Sequence, residues 1–150
     1  MLEIDHIHAI AHHLRMFALL AVLVTEMMLV RQALSGDRLD RLGSLDLSYG
    51  ALAGLLLAVG FARVFFGLKG PDYYLPNVFF WLKIACFLLV GLLSVPPTRM
   101  FIAWRGKTRL DRAFVPPPAE IAAARRYMHA EAAFFFLIPV FAALMARYSG

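Results

Sequence analysis

The sequence predicts an all-α integral membrane protein, a bundle of four transmembrane helices, and three observations favour this fold class. Hydrophobic residues make up 61% of the 150-residue chain, whereas soluble domains contain about 45–50%. Four apolar segments are each long enough for the roughly 20 residues that cross a hydrocarbon core. Basic residues are concentrated between these segments, as is typical of membrane loops. Together these observations argue against a soluble enzyme, a disordered chain and a disulfide-rich secreted domain.

The four predicted helices form a single domain over residues 1–150 and cover residues 7–34, 45–67, 76–98 and 119–147. Gly36 and Gly43 break the chain in the first connection, and Gly70 and Pro71 break it in the second. Three consecutive prolines, residues 116–118, form a stiff lead into the fourth helix. The uncharged stretches inside the segments are all shorter than about 18 residues. Each span therefore has to carry at least one ionisable residue.

The distribution of lysine and arginine predicts the orientation. Most of these residues lie in the first and third connections and at the ends of the adjoining helices: Arg31, Arg38, Arg41, Arg99, Arg105, Lys107, Arg109, Arg112, Arg125 and Arg126. The second connection has only Lys69, and the C-terminus has only Arg147. The positive-inside rule then places both termini outside. We expect a multi-pass protein of a bacterial inner membrane, in contact with the lipid bilayer and without a nucleic-acid partner, despite a net charge of +5.

Ionisable side chains inside the spans are the candidate functional residues, because charge at membrane depth is costly and usually pairs or serves a function. They are His12, His13, Arg15 and Glu26 in the first helix, Arg63 in the second, Lys83 in the third, and His129 and Glu131 in the fourth. At a rise of 1.5 Å per residue, Arg63 and Lys83 fall in the outer half of the membrane. Glu26 and Glu131 fall in the cytoplasmic half. We therefore expect an internal polar axis, with Glu26, His129 and Glu131 as buried charge partners.

Three interpretations of these charges stay open. In the first, ion pairs join neighbouring helices. In the second, a basic cluster in the outer half binds the acidic group of a lipophilic ligand such as a haem, a porphyrin or a quinone. The members of this cluster are His12, His13, Arg15, Arg63 and Lys83. In the third, protons or ions pass along a stripe of the first helix that runs from His8 to Glu26, where residues recur at spacings of four and three.

The histidines limit the kind of haem or metal site that the sequence allows. A neutral imidazole of His12 or His13 could ligate a haem iron, but His129 is the only histidine on another helix and lies toward the cytoplasmic side. A single bis-histidine haem is therefore not expected, whereas a five-coordinate or histidine–methionine haem b stays open. His8 and His12 supply two ligands at i, i+4, which is too few for a structural metal site. We expect no metal site.

Several motifs are found across nearly the whole chain: His12-His13-Leu14, the stretch Gly60-Phe61-Ala62-Arg63-Val64-Phe65-Phe66-Gly67, Lys69-Gly70, Phe79-Phe80-Trp81-Leu82-Lys83 and Ile138-Pro139. They resemble a family of bacterial membrane proteins, domain of unknown function 2214, and the resemblance implies four helices. More distantly, the layout is similar to HemJ-type protoporphyrinogen oxidases and CopD-like proteins. Those proteins have an early histidine and a Trp-Leu-x-x-Lys element, whereas here the lysine follows Trp81-Leu82 directly. This similarity implies a haem or porphyrin role for His12 or His13 and for Lys83.

The function expected from these observations is the binding of a lipophilic anionic ligand, which is haem, porphyrin or quinone-like, with or without a redox role. The alternative is a non-catalytic accessory or scaffold subunit whose buried charges only orient its helices. Its partner would then be another membrane protein or a second copy of the chain. The sequence contains no P-loop, no G-x-S-x-G nucleophile elbow and no Cys-x-x-Cys motif that would assign an enzyme reaction.

Overall fold

Five helices make up most of the computed structural model, which describes residues 2–31, 34–66 and 70–147 without the side chains of residues 2–9, 11, 13 and 63. The helices are α1 (Leu2–Leu29), α2 (Asp37–Phe66), α3 (Pro71–Tyr74), α4 (Val78–Leu110) and α5 (Pro118–Arg147). These described ranges contain no β-strand. The all-α class that was predicted from composition is confirmed.

Local sequence signals explain several helix ends. Gly36 adopts a positive φ of 47°, which glycine tolerates without steric cost, and α2 begins at the next residue. Asp37 then lies in the first turn of α2, where its negative charge is favoured by the helix dipole. Gly70, with φ 66°, precedes Pro71 at the start of α3. Pro118 opens α5, a position that suits proline because its missing N–H would have no partner there.

The observed helices differ from the predicted spans mainly in the polar stretches. The helix α4 continues to Leu110, although the sequence predicted an end near residue 98, so the basic segment 99–110 is helical. It also continues through Pro96 and Pro97, which lack the backbone N–H that a helix normally uses. Hydropathy marks the part of a helix that lies in lipid and not the part that extends into water. The predicted spans therefore located the helices better than they located the helix ends.

The long helices pack into one body with a shared apolar core. The helix α4 packs along α5, α1 packs along α2, and α2 and α1 also contact α4 and α5, respectively. Core residues come from all four long helices and include Leu19, Leu23, Leu42, Leu56, Val90, Phe101, Met128 and Phe135. Large apolar side chains also cover the outer surface, among them Phe17, Leu47, Phe66, Leu92, Ile102 and Phe136. An apolar outer face of this extent suits lipid and not water.

Within the residues that the structure describes, three helices are long and apolar enough to cross a membrane. They are α2, α4 and α5, whose best windows have mean hydropathies of 1.8, 2.4 and 1.8. The helix α1 is of similar length, with 28 residues. The prediction of a membrane protein with several helical spans is confirmed on this basis. A fourth span formed by α1, and with it the four-helix bundle with both termini outside, stays a prediction.

Candidate functional site

Hydrogen bonds and charges distinguish the two ends of the molecule. At one end, the Asn77 side-chain amide donates to the Met145 carbonyl at 3.1 Å, joining the start of α4 to the end of α5. We call this the terminal end. At the opposite end, α2 and α5 begin and α4 ends, and most of the lysine and arginine residues lie there. We call it the basic end.

Ion pairs hold the basic end together. Arg112 donates to Asp37 at 2.7 Å and to Asp40 at 2.6 Å, and the Nε atom of Arg105 lies 3.6 Å from Asp40. The hydrogen bond to Asp40 raises the pKa of the Arg112 guanidinium, so that this side chain stays positively charged. These contacts join the start of α2 to the end of α4 and to the segment that follows it. Arg112 and Asp37 are exposed, whereas Arg105 and Asp40 are half-buried. Exposed ion pairs contribute little to stability, so these contacts position the two segments more than they stabilise the fold.

A small cavity near the terminal end brings two of the predicted site residues together. His12 from α1 and Lys83 from α4 both line this cavity, which has a volume of about 60 Å³. We call it the His12–Lys83 cavity. The rest of its wall is apolar and includes Met16, Leu56, Phe61, Phe80, Phe87 and Phe135. The ammonium nitrogen of Lys83 lies 5.7 Å from the centroid of the Phe80 ring, within the range of a cation–π contact.

The other members of the predicted basic cluster do not line the His12–Lys83 cavity in the described part of the chain. Arg15 is half-buried on α1 and lies outside the cavity wall. The side chains of His13 and Arg63 lie outside those that the structure describes. On the backbone, Arg63 directly precedes Val64, which lines the cavity. The structure thus brings together His12 and Lys83 from the predicted set.

A second polar site lies deeper in the molecule, and we call it the acid cluster. It consists of Glu26 from α1, Asp46 and Tyr49 from α2, and Glu131 from α5, whose exposed fractions are 2%, 8%, 4% and 1%. The charge of Asp46 acts on both glutamates, and Tyr49 interacts with Glu131 and Glu26. On the α4 side, the Thr98 hydroxyl donates a hydrogen bond to Asp46 Oδ1 at 2.8 Å.

Among the side chains that the structure describes, the acid cluster has few hydrogen-bond partners and forms no salt bridge with a basic group. Glu26 Oε1, Glu131 Oε1 and Tyr49 Oη are buried without a partner at hydrogen-bond geometry, although Tyr49 faces Glu131 closely enough to interact with it. The salt bridges between described residues all lie at the basic end and involve other acids. The ion pairs expected for Glu26 and Glu131 are therefore not formed by any described basic side chain.

A groove between α2 and α4 reaches the acid cluster from the side. Its volume is about 400 Å³, and most of its wall is apolar. We call it the α2–α4 groove. Its polar lining consists of Asp46, Tyr49, Ser94, Thr98 and Arg105. Asp46 and Tyr49 belong both to this groove and to the acid cluster, so the groove connects the buried carboxyl groups to the region around Arg105 at the basic end.

Sequence reasoning found half of the acid cluster. Glu26 and Glu131 were predicted at similar depth, and the structure brings them together around Tyr49. Asp46 and Tyr49 were not predicted as site residues. The sequence does contain a signal for them: Asp46 is an acid just inside an apolar segment, and Tyr49 follows three residues later on the same helix face. His129 does not join the cluster, because its side chain is exposed and its Nδ1 lies 2.6 Å from the Arg125 carbonyl of its own helix.

Comparisons with known proteins identify the family of the chain. No curated protein and no solved structure is significantly similar to the chain. A family model described as "Predicted membrane protein (DUF2214)" matches residues 4–150. This match covers all five helices, including the parts of α1, α2, α4 and α5 that form the cavity and the acid cluster. The chain therefore belongs to this family of membrane proteins.

Proposed function

We propose that this protein is a multi-pass protein of a bacterial inner membrane that binds a lipophilic molecule with an acidic or hydrogen-bonding head group in the His12–Lys83 cavity. The observation that carries this proposal is the convergence of an imidazole from α1 and an ammonium group from α4 on an otherwise apolar wall. Binding sites for small molecules combine apolar walls with a few polar groups in this way. A lysine within a membrane-spanning segment is also a functional candidate by default.

The two polar side chains have complementary tasks in such a site. The Lys83 ammonium group attracts a carboxylate or donates a hydrogen bond to a carbonyl oxygen, and the His12 imidazole either donates or accepts one. Aromatic walls such as Phe61 and Phe87 exclude water, and charge attraction is stronger where water is excluded. The head group is thereby fixed between α1 and α4, while the apolar tail lies among the helices or in the lipid.

The size of the cavity favours a narrow ligand. A volume of about 60 Å³ is far below the roughly 300–1,000 Å³ of pockets that enclose larger molecules. A quinone-like ring or the head of a fatty acid suits this space better than the wider ring of a haem or a porphyrin. We therefore assign no role to a haem iron, and the likeness to haem- and porphyrin-related membrane proteins adds no support here.

The orientation is part of the same proposal. With the basic end in the cytoplasm, the His12–Lys83 cavity lies in the outer half of the membrane, and a ligand with a long tail enters it from the lipid. The positively charged residues at the basic end, together with Arg125 and Arg126 in the early turns of α5, support this orientation through the positive-inside rule.

The second candidate function is that of an accessory or scaffold subunit without a ligand. The ion pairs of Arg112 with Asp37 and Asp40 favour this function, because these contacts only join the start of α2 to the segment that follows α4. In this case the partner is another membrane protein or a second copy of the chain, and Lys83 contributes to assembly instead of ligand binding. The two candidates differ in whether a small molecule binds to the purified protein.

Binding of decylubiquinone and of oleate to the detergent-purified protein tests the proposal. Trp81 lies beside the cavity wall, with its ring centroid 5.4 Å from that of Phe80, so quenching of tryptophan fluorescence reports occupancy by the quinone, and oleate is measured by its competition. We expect saturable binding of at least one probe and about a tenfold weakening in Lys83→Leu, equivalent to about 1.4 kcal/mol.

Lys107→Leu is the matched control, because it removes the same charge from an exposed position at the basic end and should change the affinity by less than about twofold. The proposal is wrong if neither probe binds saturably to the wild type, or if Lys83→Leu and Lys107→Leu bind with the same affinity. A Soret band on addition of haem that disappears in His12→Ala would instead replace the narrow ligand with a haem.

A further inference from the structure

The acid cluster is separate from the His12–Lys83 cavity and takes no part in the proposed ligand binding. No residue of the cluster lines that cavity. Asp46 lies about 14 Å along α2 from Asp37, and Glu131 lies about 20 Å along α5 from Pro118, at a rise of 1.5 Å per residue. Glu26 and Glu131 therefore lie within the predicted spans 7–34 and 119–147, and Asp46 lies at the edge of the span 45–67 that is nearer to the basic end, whereas His12 and Lys83 are near the terminal end.

The charges around the cluster indicate what it binds. Within the described part of the chain, the titratable groups that face it are Glu26 from α1, Asp46 and Tyr49 from α2, and Glu131 from α5. From α4, Thr98 contributes a neutral hydroxyl, and the charged side chain of α4 that lines the groove, Arg105, is paired with Asp40. Three ionised carboxylates buried together without a cation would be very unfavourable, because each loses its hydration and all repel one another.

We infer that Glu26, Asp46, Tyr49 and Glu131 form an intramembrane proton-binding site that exchanges its proton with the basic end through the α2–α4 groove. A protonated carboxyl group is neutral and becomes a hydrogen-bond donor. It can therefore donate to the carboxylate oxygens of Glu26 and Glu131 that are buried without a partner at hydrogen-bond geometry. Tyr49 is 4% exposed and its hydroxyl faces Glu131, so it is the neutral member that passes a hydrogen bond between the acids.

A metal ion does not suit the same site. No group of three or more histidine, cysteine, aspartate and glutamate side chains within the described residues has the arrangement of a metal centre. A proton needs no coordination shell and requires only one carboxylate oxygen with a neighbouring acceptor. Tyr49 and the carboxyl groups meet this requirement.

Asp46 is the carboxyl group of the site that reaches the α2–α4 groove. It lies in the acid cluster and also lines the α2–α4 groove, whose volume of about 400 Å³ extends past Thr98 to Arg105. On uptake, a proton from water in the groove forms an O–H bond with a carboxylate oxygen of the cluster. On release, this O–H bond breaks and the proton returns to the groove. The step moves one proton and no electrons, so it needs no further reactant.

Infrared spectroscopy of the reconstituted protein tests this inference. We expect a C=O stretching band of a protonated carboxylic acid at neutral pH, which shifts in D₂O and decreases as the pH is raised. Glu131→Gln or Glu26→Gln should remove at least half of its intensity, since glutamine has the shape of the neutral acid but carries no acid proton. Tyr49→Phe should shift the band, because it removes a hydrogen-bonding neighbour. Asp40→Asn, which changes an acid at the basic end, should leave the band unchanged.

The inference is overturned if the wild type shows no such band at neutral pH, or if the band keeps its intensity in Glu26→Gln, Asp46→Asn and Glu131→Gln. Circular dichroism identifies variants that do not fold, and the wild-type band and its pH titration decide the question in that case. The ligand proposal is tested separately, by decylubiquinone and oleate binding at the other end of the molecule. Failure of the ligand proposal therefore does not contradict the proton site, and failure of the proton site does not contradict the ligand proposal.

Discussion

Trp104 is completely buried, and its indole N–H nevertheless has a strong partner. The nitrogen donates to Glu120 Oε2 at 2.6 Å, and the indole packs against Phe101 with a centroid distance of 5.5 Å. Hydrogen bonds to charged groups contribute more than those between neutral groups. This single contact joins α4 to the first turn of α5, next to the proline segment that leads into that helix.

The variant Trp104→Phe keeps an aromatic ring in the core but removes the donor to Glu120. We expect a loss of about 1–3 kcal/mol in the free energy of unfolding, because the glutamate carboxylate is left without its partner. Unfolding by sodium dodecyl sulfate in mixed micelles, followed by circular dichroism, measures this loss. Trp81→Phe is the matched control, since Trp81 is 54% exposed and bonds only to the Leu75 carbonyl. Equal losses in the two variants would contradict the argument.

Single residues also show what the sequence can and cannot predict about a site. His12 and Lys83 were expected at similar depth, and they line one cavity, because depth follows from chain position and helix rise alone. The meeting of Tyr49 with Glu131 was not foreseen. It depends on how each helix is rotated about its axis, and helices that are apolar on all faces carry little periodic signal that fixes this rotation.

Asn77 determines both where α4 begins and how it is attached to α5. Its side-chain oxygen accepts a hydrogen bond from the Phe79 N–H at 3.0 Å, which caps the helix. Its side-chain amide donates to the Met145 carbonyl at 3.1 Å. With 3% of its surface exposed, this one residue satisfies an unpaired donor of α4 and a carbonyl near the end of α5.

Replacement of Asn77 by alanine should therefore cost about 2 kcal/mol, approximately 1 kcal/mol from the cap and a similar amount from the bond to Met145. Asn77→Ser should cost about half as much, because serine can still cap α4 but cannot reach α5. Equilibrium unfolding of both variants in mixed micelles measures the difference. If the serine and alanine variants are destabilised equally, the cap contributes nothing and the assignment of Asn77 as the N-cap of α4 loses its energetic basis.

Among the helices, the sequence predicted the membrane-spanning parts but not the extensions. The helix α4 passes Pro96 and Pro97 and includes the basic segment 99–110, where low hydropathy suggested a loop. Such prolines are tolerated in membrane helices because neighbouring helices and side chains support the backbone. Helix propensity and the helix dipole also stabilise a helix outside the lipid. Hydropathy does not detect these polar parts of a helix.

For the whole molecule, the apolar outer surface and the basic end together predict an orientation in the membrane. Exposed apolar side chains such as Phe17, Leu92 and Phe136 cover the helices, so lipid is the natural surrounding. Charged side chains are concentrated where α2 and α5 begin and α4 ends. Cytoplasmic loops of membrane proteins carry such an excess of arginine and lysine. The proposed proton site and the proposed ligand cavity would then face opposite sides of the membrane.

Cysteine labelling in intact cells tests this orientation directly. Cys86 is the only cysteine of the chain and is buried, so Cys86→Ala gives a background without reactive thiols. In this background, Asp72→Cys at the terminal end and Ser35→Cys at the basic end both create exposed thiols. We expect a membrane-impermeant maleimide to label Asp72→Cys in cells whose outer membrane is permeable. Ser35→Cys should react only after the inner membrane is broken, because the positive-inside rule places it in the cytoplasm. The opposite labelling pattern would show the reverse orientation, in which the acid cluster lies nearer to the outer surface and the His12–Lys83 cavity nearer to the cytoplasm.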